Sequence, residues 1–103
     1  MNVQKLMKEA QRAQKKMAEA QERLAALVVE GSAGGGLVKA TVNGEGTITK
    51  VAIDPSAVDP DDLSLLEDLV VAAIKDAQRQ AKEVHEQEMG SAMGGLGGMP
   101  GMF

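Results

Sequence analysis

The stretch GSAGGGLVKATVNG, residues 31–44, decides the fold. Gly34, Gly35 and Gly36 interrupt the chain, and beyond them Val38, Ala40 and Val42 alternate with Lys39, Thr41 and Asn43. Apolar residues at period two mark a half-buried strand. Val28 and Val29 lead into the glycines as a first strand. Asn43-Gly44 is the pair that a two-residue type I′ hairpin favours, because both of its central positions need positive φ. The return strand then runs from about Glu45 to Ile53 and stops at Asp54-Pro55, where proline cannot donate to a ladder. Three short strands in an antiparallel meander are therefore expected. The triple glycine is read as a turn and not as a phosphate cradle, because no Lys-Ser/Thr pair follows and Leu37-Val38 opens a strand.

Upstream, Val3, Leu6, Ala10, Ala13, Met17, Ala20, Leu24 and Leu27 step by three and four without an internal Gly or Pro. This heptad pattern predicts one long amphipathic helix of about 40 Å. A body this small cannot cover that length, and the alanines in mid-stripe make a thin seam, so the helix is expected to reach outward. Downstream, Asp59 is read as an N-cap, with Pro60 at the first helical position and Asp61 and Asp62 in the first turn. Leu63, Leu66, Val70, Ala73, Ile74, Ala77, Ala81 and Val84 form the buried stripe of this second helix, which should continue to about Glu88. Leu65, Leu69 and Val71 lie off the stripe, so the first half of the helix is apolar nearly all round. A sheet on one side and a second subunit on the other would account for that, with Leu65, Leu69, Val70, Val71 and Ile74 as the dimerisation set. Residues 1–88 form the expected domain. Residues 89–103, rich in Gly and Met, form an expected flexible tail whose methionines could alternatively serve as an adaptable contact surface.

With 103 residues the chain has room for one core. Phe103 is its only aromatic residue, so the core must come from Leu, Val, Ile, Ala and Met and is expected to be completed by a partner. There is no cysteine, no apolar run of bilayer length and no start resembling a signal peptide, and a soluble cytoplasmic protein is expected. The net charge of -4 is unevenly spread. Residues 1–27 carry six basic against three acidic side chains, whereas residues 28–103 carry five against twelve.

The basic residues of the first helix, Lys5, Lys8, Arg12, Lys15, Lys16 and Arg23, include a run spaced 3-4-3 and form a stripe of their own. A charge run is ordinarily a solvated face; the competing reading is phosphate contact. Lys75, Arg79 and Lys82 form a second basic line, but Asp76, Glu83 and Glu86 stand beside them, which favours a neutralised surface. His85 is the single imidazole and has no second nitrogen or sulfur ligand, so neither a metal site nor a general base is read there. Capping explains Asp61-Asp62, and solvation explains Glu67-Asp68. No nucleophile stands beside a recognisable base, so an enzyme is not expected and no cofactor is implied.

The order of helix, glycine-punctuated hairpin, capped helix and Gly/Met tail carries a resemblance. So do GSAGGGLVKATVNG, IDPS at 53–56, LLEDLVVAAIKDA at 65–77 and the closing MGGLGGMPGMF. Together they resemble the YbaB/EbfC family over the whole chain. The resemblance implies an α+β fold of α-β-β-β-α order, a homodimer joined through sheet and C-terminal helix, and paired projecting helices placed like tweezers around DNA. It shifts the basic stripe of the first helix toward DNA. The expected function is that of a nucleoid-associated protein of the cytoplasm, contacting the backbone of duplex DNA as a homodimer and contributing to nucleoid organisation, with gene regulation left open. The absence of aromatic residues disfavours a single-strand stacking platform. The alternative is an adapter that holds a protein client with its projecting helices and Met-rich tail.

Overall fold

The computed structural model describes residues 2–92. In chain order it contains α1 (Val3–Ala26), β1 (Val29–Ala33), β2 (Val38–Val42), β3 (Ile48–Ile53), a 3-10 turn (Pro55–Ala57) and α2 (Leu63–Ala92). The strands form one antiparallel sheet of order β1-β2-β3, which is the α-β-β-β-α meander expected. Asn2 caps α1 by accepting the Lys5 backbone N–H at 3.2 Å. Leu27 turns to an extended backbone and closes the helix, its N–H donating to the Arg23 and Leu24 carbonyls.

The glycines at 34–36 form the β1–β2 turn with φ of 64°, 69° and 95°. Such consecutive left-handed positions are open to glycine and closed to most other residues. The β2–β3 connection departs from the two-residue turn expected at Asn43-Gly44. Val42 pairs with Ile48, and the loop spans 43–47. Asn43 Oδ1 accepts the backbone N–H of Glu45 at 2.9 Å and of Thr47 at 3.0 Å, while the positive φ belongs to Gly46. Gly44 serves another purpose: its N–H donates to the Leu24 carbonyl at 2.7 Å. A Cβ there would lie 2.7 Å from that same oxygen. The docking of α1, rather than local turn chemistry, sets the conformation at this Asn-Gly pair.

The second helix begins later than Asp59. Asp59 instead closes a turn, accepting the Asp61 N–H through its carboxylate at 2.9 Å and the Asp62 N–H through its carbonyl at 3.0 Å. Asp62 caps α2, accepting the Leu65 N–H at 3.3 Å. At the other end α2 continues through Met89 to Ala92, beyond the boundary expected at Glu88. The remainder of the Gly/Met-rich tail lies outside the described residues.

The core is built from small side chains. Ala73, Ala77 and Ala81 of α2 lie fully buried against Val38, Ala40 and Val42 of β2. Gly31 of β1 makes this close approach feasible, because a Cβ there would meet the Ala77 nitrogen at 2.2 Å and the Ala73 oxygen at 2.6 Å. Leu66, Val70 and Ile74 pack around this centre, as does Leu69, which the sequence had placed off the stripe. Leu63, expected within it, is 52% exposed.

Candidate nucleic-acid interface

The sheet end that carries Gly44 is where both helices leave the body. Of α1, only Ala20 and Leu24 are fully buried, and every residue from Val3 to Arg12 is exposed. The Arg23 guanidinium meets the Glu88 carboxylate at 3.0 Å through a terminal nitrogen and at 3.1 Å through Nε. The C-terminal part of α2 therefore runs beside α1 in the opposite direction. The first half of α1 projects as an arm with no strand beneath it.

Lys5, Lys8, Arg12, Lys15 and Lys16 are all on this arm, exposed, and make no ion pair among the described residues. At 3.6 residues per turn they fall within an arc of about 100° and a length of about 16 Å. That arc flanks the Ala20–Leu24 stripe that meets α2, its centre about 110° around the helix from it. Five cations are thus aligned along one helix. Arg23 stands apart from them, engaged with Glu88 at the base of the arm.

The second basic line is differently disposed. Arg79 bridges Asp76 at 2.8 Å and Glu83 at 3.3 Å, which raises its pKa further above the ordinary arginine value. The Asp76 carboxylate also accepts the Ser32 backbone N–H at 3.1 Å, and that bond, reinforced by Arg79, holds its pKa below the ordinary aspartate value. Lys75 and Lys82 are exposed beside this neutralised cluster. His85 lines an open recess of about 380 Å³ together with Gln78, Lys82 and the 44–46 loop. No group of His, Cys, Asp and Glu able to hold a metal ion is present among the described residues.

The residues named for dimerisation divide between two flanks of α2. Leu69, Val70 and Ile74 pack partly into the core, whereas Leu65 and Val71 are 52% and 50% exposed. Leu65 lies three turns before Asp76, on the flank facing β1. Val71 lies two turns before Gln78, whose amide donates to the Gly46 carbonyl, on the flank facing β3. Beside Val71 is a surface that sequence reasoning missed. Ile48, Val51 and Ile53 pair with Val42, Ala40 and Val38, so they face the same side of the sheet as the core. Yet α2 covers β1 and β2 only, leaving these three 44%, 38% and 42% exposed. The signal was masked by a bulge: the register shifts between Thr41 and Val42, which turns the expected alternation into 48, 51, 53.

The two edges of the sheet also differ. On β1, Asp76 accepts the outward Ser32 N–H and the Gln80 amide donates to the outward Glu30 carbonyl at 3.2 Å. On β3, no side chain bonds the outward backbone among the described residues.

Comparison with known proteins agrees with this architecture. The chain is 52% identical over 101 residues to a nucleoid-associated protein of Saccharopolyspora erythraea, an alignment covering 98% of this chain and 87% of that protein. It is 50% identical to a nucleoid-associated protein of Streptomyces avermitilis, covering 98% and 91%. The fold matches the crystal structure of an uncharacterized Helicobacter pylori protein with a TM-score of 0.72 at 23% identity, over 93% of this chain and 98% of that one. Residues 1–96 match the YbaB/EbfC DNA-binding family, and the chain belongs to that family.

Proposed function

We propose that this protein is a nucleoid-associated protein that binds the phosphate backbone of duplex DNA through Lys5, Lys8, Arg12, Lys15 and Lys16, as a homodimer presenting two such arms. The observation that carries this reading is the set of five exposed cations, without ion-pair partners among the described residues, on one face of a projecting helix. Phosphate contacts of this kind position a protein on DNA without reading its sequence, so binding follows charge and shape. Family membership and the names of the relatives support DNA as the ligand and the nucleoid as the place of action. Arg23 is assigned a different task, holding the arm against α2 through Glu88.

The second copy is assigned to the uncovered side of β3 and the neighbouring flank of α2, with Val71, Ile74 and Val70 alongside Ile48, Val51 and Ile53. An open strand edge beside an apolar face is a surface that monomeric proteins generally protect. Here one sheet edge is bonded by α2 and the other is not.

The test is duplex DNA binding across a salt titration, with wild type compared to a Lys8→Glu, Arg12→Glu, Lys15→Glu variant whose oligomeric state is confirmed by sedimentation. The expected result is binding that weakens with salt and is lost in the variant. Undiminished binding by the variant would overturn the assignment to α1. Absence of DNA binding by both, with capture of a protein partner that survives nuclease, would favour the adapter reading.

A further inference from the structure

The projecting half of α1 carries an apolar stripe as well as a basic one. Val3, Leu6 and Met7 are 62%, 50% and 58% exposed, and Ala10 is exposed beside them. At 3.6 residues per turn these four fall within an arc of about 100°, centred about 180° around the helix from the five cations. Their neighbours on that half of the helix surface, Asn2, Gln11, Ala13 and Gln14, carry no charge. Glu9, the next residue outward on one edge, has Lys5 and Arg12 beside it on its own helix. A surface of this kind offers nothing to an anionic partner, and it does not repel a copy of itself.

Glu88 is level with Arg23, so at equal rise along two opposed helices Ala92 falls close to Glu19, about 9 Å short of Ala13. Among the described residues, α1 from Val3 to Ala13 therefore has room on its apolar side for a second helix about 15 Å long. The order of the side chains selects the direction of such a helix. In an antiparallel copy, Leu6 lies against Ala10 and Val3 against Ala13, and the two Met7 side chains meet at one edge. Each large side chain then faces a small one, as a closely packed seam requires. In a parallel copy Leu6 would face Leu6 and Ala10 would face Ala10, leaving a gap beside each bulge.

We propose that the apolar stripe of the arm takes the same stripe of a second copy, packed antiparallel over Val3 to Ala13, and that this contact joins one dimer to the next. In that arrangement the two Leu24 positions, where the arms meet their bodies, lie about 48 Å apart. Two chains in contact through β3 therefore cannot also pair their own arms. The cations of both arms face outward on opposite sides of the pair, so both basic faces stay open. The pairing of arms is independent of what those faces bind, whereas its role in joining dimers rests on the β3 contact proposed above.

The test uses the full chain, which has no cysteine of its own. In the antiparallel pair the two Met7 positions are offset by about 3 Å along the axis and the two Val3 positions by about 15 Å. A short bismaleimide should therefore link Met7→Cys chains into covalent pairs and leave Val3→Cys chains unlinked. Adding Leu6→Ser to Met7→Cys should abolish the pairs with circular dichroism unchanged. Adding Val51→Lys with Ile53→Lys, which breaks the β3 contact, should leave the pairs in place. Failure of Met7→Cys to link would overturn the proposal. Equal linking of Val3→Cys would also overturn it, as the mark of parallel arms or random encounters, and so would pairs that survive Leu6→Ser. Loss of the pairs on adding Val51→Lys and Ile53→Lys would overturn the link between dimers by placing both arms within one dimer. Failure of the β3 reading registers separately, as an unchanged sedimentation mass of the Val51→Lys, Ile53→Lys protein.

Discussion

Two glycines of the same hairpin separate steric space from backbone conformation as reasons for having no side chain. Gly31 has an ordinary backbone but no room, because the α2 backbone occupies the position of its Cβ. Gly35 has open space around it but a φ of 69°. Gly31→Ala must push α2 off the sheet and should cost at least about 1–3 kcal/mol, the usual range for overpacking. Gly35→Asn should cost less than about 1 kcal/mol, because Asn tolerates the left-handed region. Urea unfolding of the two variants checks the contrast, and equal losses would contradict it. Asp76 offers a second case at this scale. Its carboxylate is held below the ordinary aspartate value by the Ser32 N–H and by Arg79. The unfolded chain therefore binds this proton more readily than the folded one, so stability rises with pH through that window. The contribution is complete above the ordinary aspartate range and is lost as pH falls through the lowered value. The difference in unfolding midpoint between wild type and Asp76→Asn should shrink as pH is taken from about 7 to about 3. A difference constant with pH would show that the carboxylate charge is not what joins α2 to the β1 edge.

Helices and strands were legible where a local pattern and the tertiary structure ask for the same thing. The heptad of α1 and the alternation of β2 produced their elements to within a residue or two. The failures occur where a distant element intervenes. Asn43-Gly44 has the composition of a tight turn, but Leu24 from α1 occupies the space beside Gly44 and the loop widens to 43–47. Asp59-Pro60 has the composition of a helix start, but Asp59 bonds two N–H groups of its own turn, and Asp62 takes the cap. The basic stripe could be read directly because exposed cations depend on helical period alone. The apolar face of β3 could not, because one bulged residue shifts Val51 and Ile53 out of simple alternation with Ile48. That face carries the element-scale prediction. Val51→Lys with Ile53→Lys places two charges on exposed positions of β3, leaving the buried Val38, Ala40 and Val42 untouched. Sedimentation equilibrium should show wild-type dimers and variant monomers, with circular dichroism unchanged. A variant that remains dimeric would exclude this face as the contact between copies.

For the whole molecule, the charge distribution settles how such an acidic protein could approach DNA. The body from residue 28 onward carries seven more acidic than basic groups, and the first 27 residues carry three more basic than acidic ones. At about 0.1 M salt, charges more than about 10 Å apart are largely screened from one another. If the arm binds DNA as proposed, Lys5, Lys8 and Arg12 stand about 16 Å or more along α1 from the Arg23–Glu88 pair, beyond that range of the acidic body. If the body contributes only repulsion and each arm contacts phosphates independently, the salt dependence counts the arms. Each phosphate neutralised lowers the logarithm of affinity by about 0.9 per unit of log salt. Five contacts on one arm would give a slope of about -4.5, and two arms about -9. The Val51→Lys, Ile53→Lys monomer should therefore bind duplex DNA with about half the wild-type salt slope, whereas Lys8→Ala in the intact dimer should reduce the slope by about 2. A monomer that keeps the full wild-type slope would mean that one arm makes every contact, and pairing would then serve something other than DNA.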